Sequence, residues 1–219
     1  MPNKPGRSGR RIKSDGLPAF FITMIAMTLI AVILIAALLF WPSIEQQGAE
    51  FLSPLLYPLE YEELIYRYSE LHELDPYLVM GLIRAESSFI SDAVSPVGAR
   101  GLMQIMPNTA EWLAERMGIN FHLDDLFNPA YNIRMGTYYL RMLLHMFEEQ
   151  DTALAAYNAG MGNVGTWLQD ERYSADGRTL HTIPFSETRH YVPRVNRYME
   201  IYRELYGEPI EGQYEEVSP

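Results

Sequence analysis

No cysteine occurs in these 219 residues. That excludes a disulfide framework, a thiolate metal site and a lipidated cysteine. Lysine is nearly absent: Lys4 and Lys13 stand in the N-terminal stretch, and every later Lys/Arg position is arginine. His72, His122, His145, His181 and His190 are scattered, without HExxH or HxxEH spacing. Neither a metal nor another cofactor is therefore expected. No stretch alternates apolar and polar residues between turn signals, so any sheet is small. There is no internal repeat and no low-complexity block.

The charge is one-sided. The net value is −11, yet the first 16 residues carry Lys4, Arg7, Arg10, Arg11 and Lys13 against Asp15 alone. The remainder is strongly acidic. Nucleic acid, which requires a basic footprint, is excluded as a partner. The length allows one domain with a sizeable core.

What is present begins with an apolar run. Residues 1–17 form a polar, basic tail, and residues 18–41 read PAFFITMIAMTLIAVILIAALLFW without a charge. At about 1.5 Å per residue that run crosses a hydrocarbon layer of roughly 30 Å. The expectation is a transmembrane anchor with its N-terminus in the cytoplasm, following the positive-inside rule. The competing reading, a cleaved signal peptide, fits less well, because the run exceeds a usual apolar core and no small-x-small site follows it. Residues 42–59 read as a linker, 60–207 as the main domain and 208–219 as an acidic tail.

The main domain reads as mostly α. Leu64, Ile65, Tyr68 and Leu71 mark one helix at helical spacing. Asp75-Pro76 opens the next, with Asp as N-cap and Pro at the first helical position. Pro107 to Met117 ends at Gly118, and Asn128-Pro129 opens a long helix through Phe147. Asp151 is expected to cap the helix that ends at Gly160, and Met161 to Leu168 adds a short one. Asp170 to Thr182 is a loop. Glu187 to Tyr206 is helical, with Pro193 as a kink or junction.

One carboxylate stands out. Glu86 continues the apolar face set by Val79 and Leu82, near the C-terminal end of its helix. Burial and the macrodipole both favour the protonated carboxyl there. A carboxylic acid that keeps its proton near neutral pH suits general-acid chemistry. The plainer alternative is a rim glutamate paired with Arg84 or Arg100. Asp92, six positions on, is the candidate second carboxylate, and it reads as a solvated turn aspartate.

Glu86-Ser87-Ser88, then SPVGARGLMQIMP over 95–107, then AAYNAG over 155–160, resemble the catalytic domain of the family 1 lytic transglycosylases. These are the soluble-lytic-transglycosylase type, related to goose-type lysozyme. The resemblance spans Tyr61 to Tyr206, with several separate motifs in the same order. It implies a lysozyme-like globular domain and cleavage of the β-1,4 bond between N-acetylmuramic acid and N-acetylglucosamine. It further implies that one glutamate, here Glu86, serves as acid and then base, leaving 1,6-anhydromuramyl ends.

By the same resemblance, Ser95 places a hydroxyl near the carboxyl and the substrate N-acetyl group. Gln104, Met106 and Thr109 line the sugar groove, although Met103 and Met106 read equally well as core fill. Tyr157, beside Asn158, hydrogen-bonds near the carboxyl and orients it. Glu187 stands on the groove wall, and Tyr191 shares its helix face. The implied partners are peptidoglycan glycan strands, the cytoplasmic membrane through the N-terminal helix, and a cell-wall synthesis or envelope-assembly complex. Two alternatives stay open: a goose-type muramidase hydrolysing the same bond, and a peptidoglycan-binding protein without turnover.

Overall fold

The computed structural model describes residues 56–207, together with Phe21, Met24 and residues 27–33. The chain divides after Leu56 into two units. In the first, residues 27–33 are helical, with Met27, Leu29, Ile30, Val32 and Ile33 exposed. Among the described residues no helix is long and apolar enough to cross a membrane. The tail at 1–17, most of the expected anchor at 18–41, the linker through residue 55 and the tail at 208–219 lie outside the described residues.

The second unit is helical. Its elements are α1 (Glu62–Leu71), α2 (Pro76–Glu86), α3 (Pro107–Met117), a 3-10 segment (Leu123–Phe127), α4 (Pro129–Phe147), α5 (Gln150–Ala159), α6 (Met161–Leu168) and α7 (Ser186–Tyr206). Among the described residues the only β pairing is two isolated antiparallel bridges, Val94–Arg100 and Arg100–Ile105.

Local chemistry sets the helix starts. Asp75 accepts a hydrogen bond from Tyr77 N at 2.9 Å ahead of α2. Asn128 does the same for Tyr131 N at 3.2 Å ahead of α4. Each cap satisfies one of the amides a helix start leaves unpaired. Gly118 ends α3 in the left-handed region at φ 63°. The start of α5 differs from expectation. Glu148 takes a left-handed φ of 56°, and Glu149, not Asp151, becomes the cap. The Glu149 carboxylate accepts from Asp151 N at 3.0 Å and Thr152 N at 2.7 Å. The Asp151 carboxylate instead accepts from Asn196 Nδ2 at 2.6 Å.

Packing then fixes the arrangement. Leu78, Val79, Met80, Leu82 and Ile83 are buried, so α2 is a core helix. Burial of each such side chain contributes about 1.5–3 kcal/mol. Tertiary contact, more than intrinsic propensity, therefore holds this short helix. Its main neighbour is α7, which runs through Pro193 without ending. The two backbones meet at Gly81, where a Cβ would stand 2.7 Å from Met199 N and 2.8 Å from Val195 O. Only glycine allows that approach.

Candidate active site

Glu86 is the last residue of α2 and is partly buried. The Tyr191 hydroxyl, from α7, donates to its Oε1 at 2.7 Å. Burial pushes the Glu86 carboxyl up from 4.5 to about 7. The Tyr191 hydrogen bond and the Arg194 charge pull it down, while the Glu187 charge adds to the rise. The two arginines considered as ion-pair partners lie elsewhere. Arg84 sits over the rings of Tyr57 and Tyr198, at 5.8 and 5.9 Å. Arg100 lies 5.2 Å from the Phe127 ring centroid and 3.6 Å from an Asp124 oxygen.

Immediately after Glu86 the chain takes two left-handed residues in succession, Ser88 at φ 53° and Phe89 at φ 66°. Such backbone is uncommon without glycine and survives where surroundings over-determine it. Here Phe89 is buried against Tyr202, with ring centroids 5.9 Å apart.

The loop that follows closes on itself. Ser95 Oγ accepts from Ala99 N at 3.0 Å, and Ser95 N donates to Ala99 O at 3.0 Å. The oxygen expected beside the carboxyl therefore accepts a bond from its own turn. Gln104 adopts φ 45°, and its Nε2 donates to Ala93 O at 3.2 Å and Gly101 O at 2.9 Å. That amide nitrogen is engaged in holding the loop.

A cavity of about 220 Å³ opens beside this loop, lined by Gln104, Ile105, Met106, Thr109, Tyr139, Tyr157, Asn158, Ala159 and Gly160. It brings together Gln104, Met106, Thr109, Tyr157 and Asn158. Ser95, Glu187, Tyr191 and Glu86 are not among its lining residues. Tyr157 joins the two regions: it lines the cavity, and the Glu86 charge adds to the rise that burial imposes on its phenol. Met103 is core, and Met106 is exposed at the cavity rim.

One expected relationship comes out differently. The Tyr157 hydroxyl donates to Met103 O at 2.8 Å, and it is Tyr191 that donates to Glu86. The reason lies in the close α2–α7 contact at Gly81, which brings the Tyr191 ring against the end of α2. Glu187, exposed, and Tyr191, buried, both act on Glu86, one through its charge and the other through its hydrogen bond. Thr188, one position from Glu187, donates to Asn158 Oδ1 at 2.7 Å and ties α7 to the end of α5. Asp92 is exposed. Among the described residues no group of three or more His, Asp or Glu side chains could hold a metal ion. Asn132 escaped the sequence reading, although its polar side chain on an otherwise apolar face of α4 was the available signal.

Residues 63–179 match the transglycosylase SLT domain. The soluble lytic murein transglycosylase of Escherichia coli K12 is 39% identical over 156 residues, covering 69% of this chain and 24% of that protein. Membrane-bound lytic murein transglycosylase C of Actinobacillus pleuropneumoniae serotype 5b is 31% identical over 168 residues, covering 65% of this chain and 46% of that protein. The solved structure of an inactive Glu-to-Gln mutant of a lytic transglycosylase from Pseudomonas aeruginosa superimposes with a TM-score of 0.64 at 38% identity. That superposition covers 71% of this chain and 26% of the other. The chain thus spans about a quarter of the length of the soluble relatives it matches. With more than half of its length matched and its helical architecture shared, the chain belongs to the transglycosylase SLT domain family.

Proposed function

We propose that this protein is a murein lytic transglycosylase in which Glu86 acts first as acid and then as base. The carboxyl protonates the glycosidic oxygen between N-acetylmuramic acid and N-acetylglucosamine, and the bond to the anomeric carbon breaks. The muramyl N-acetyl carbonyl stabilises the positive charge that develops there. The muramyl C6 hydroxyl then attacks the same carbon, and the Glu86 carboxylate takes its proton. The product is a 1,6-anhydromuramyl end, and water is not consumed.

The observation that carries this reading is the state of Glu86. Burial holds its carboxyl at about 7, and the Tyr191 hydroxyl stabilises the anionic form it must next become. A pKa near the working pH lets one group give and then receive a proton. Gln104, Met106, Thr109, Tyr157 and Asn158, which line the cavity, form the sugar-binding wall. By the family resemblance, Ser95 serves the N-acetyl group and Glu187 the peptide stem.

The enzyme is tethered at the cytoplasmic membrane by residues 18–41, with the catalytic domain on the extracytoplasmic side and the tail at 1–17 inside. The exposed apolar helix at 27–33 supports this placement. Fully extended, residues 42–56 reach no more than roughly 50 Å. Cleavage is thus confined to glycan strands near that membrane, where a cell-wall synthesis or envelope-assembly complex works.

Mass spectrometry of products from purified sacculi tests the reaction. Anhydromuramyl ends without a reducing group are expected. Reducing muramyl ends would identify hydrolysis instead, and absence of any product would leave binding without turnover.

A further inference from the structure

Asn132 is fully buried in α4, and its side-chain amide bonds to backbone outside that helix. Oδ1 accepts from Met103 N at 2.8 Å. Nδ2 donates to Arg100 O at 3.0 Å and to Leu126 O at 2.8 Å. One amide thus commits an acceptor and both donors to joining the 100–103 loop, the 3-10 segment and α4.

The loop so held carries a wall of the cavity. Met103 is fixed from both sides, its N–H by Asn132 and its carbonyl by the Tyr157 hydroxyl at 2.8 Å. The next residues, Gln104, Ile105 and Met106, all line the cavity. Gln104 sits at φ 45°, a backbone conformation that a non-glycine residue keeps only when restrained. Gly101 is matched to the same amide. It lies at φ 75°, and a Cβ there would stand 2.3 Å from Asn132 Nδ2 and 2.1 Å from Leu126 O.

We propose that Asn132 is a positioning residue for glycan binding, setting the Gln104–Met106 wall from beneath without touching the sugar. This rests on the reading of the cavity as a saccharide site. Glu86 takes its hydrogen bond from α7, whereas the Gln104–Met106 wall takes its support from α4 and α5. The Asn132 support of this wall and the Tyr191 hydrogen bond to Glu86 therefore come from different helices, and substitutions at those two residues have separable effects.

The test uses the full-length chain carrying Glu86→Gln, in detergent micelles, with a tetrasaccharide of alternating N-acetylglucosamine and N-acetylmuramic acid as probe. Adding Asn132→Ala is expected to raise Kd tenfold or more. Adding Asn132→Asp, which keeps an acceptor for Met103 N but turns a second acceptor oxygen toward Arg100 O and Leu126 O, is expected to raise it at least as much. With Glu86 intact, KM follows the same order, and the pH midpoint of kcat stays where it is. Variants that unfold at lower temperature yet keep Kd and KM would overturn the proposal. Should Asn132→Ala not fold, hydrogen exchange in the Asn132-intact protein decides. Saccharide binding is expected to slow exchange at Met103 N–H, and unchanged exchange counts against the proposal. If the Glu86→Gln chain itself binds no tetrasaccharide, the saccharide reading fails and takes the proposal with it. Binding that ignores Asn132 removes the proposal alone.

Discussion

The Tyr191 hydroxyl donates to Glu86 Oε1 at 2.7 Å across a separation of 105 residues. A hydrogen bond to a carboxylate favours the charged form. Tyr191→Phe is therefore expected to raise the Glu86 pKa further above about 7. The limb on which activity declines with rising pH should move up by about one pH unit. On the proposed mechanism, turnover should fall at its optimum, because the carboxylate that would receive the C6 proton is less well formed. The pH dependence of kcat for muropeptide release checks both statements.

Stability should carry the opposite signature of the same carboxyl. In the folded chain its pKa is raised from 4.5 to about 7, so the folded state binds more protons between those values. The native state then loses stability as pH rises through that window, by up to about 3 kcal/mol. Glu86→Gln, which never ionises, should gain on the wild type by that order between pH 4.5 and pH 8. Denaturant unfolding at the two pH values measures the difference.

Glu187 and Arg194 act on Glu86 in opposite directions. Glu187→Gln should shift the activity limb to lower pH and Arg194→Gln to higher pH, each by about half a unit. Both shifts should shrink as salt is added, because exposed charges are screened. Paired pH–rate profiles at low and high ionic strength test the signs.

Gly81→Ala should be costly despite its small size. The added carbon would meet Met199 N at 2.7 Å and Val195 O at 2.8 Å, both backbone atoms that cannot turn aside. Forcing α2 and α7 apart is expected to cost about 1–3 kcal/mol. Activity should fall with it, since Tyr191 rides on α7. Calorimetry and turnover, measured on the same preparation, check the pair of effects.

Much of the fold was legible because its signals are local. Asp75-Pro76 and Asn128-Pro129 announce their helices, and Gly118 ends α3 as the pattern implies. The cap of α5 was misplaced by two positions because Glu148 turns left-handed, which no pattern of apolar residues reveals. The 3-10 segment at Leu123–Phe127 is too short to show a period. At the site, the position of Glu86 on the apolar face indicated a shifted carboxyl. Which tyrosine reaches it did not follow, because that depends on how closely α7 approaches α2. Asn132 went unseen for a related reason: its partners are backbone atoms of distant segments, and backbone leaves no mark in a sequence.

Three tyrosines finish the domain where it begins. Tyr202 donates to Pro58 O at 3.2 Å, Tyr206 to Tyr57 O at 2.6 Å, and Tyr77 to Tyr206 O at 3.1 Å. Entry and exit of the folded unit are thus pinned side by side, like the two legs of a staple. A unit with adjoining ends can be spliced into a loop of a host protein without stretching either partner. Grafting residues 57–207 into an exposed turn of an unrelated scaffold should yield a folded insert, whereas removing the last turn of α7 should loosen both ends together.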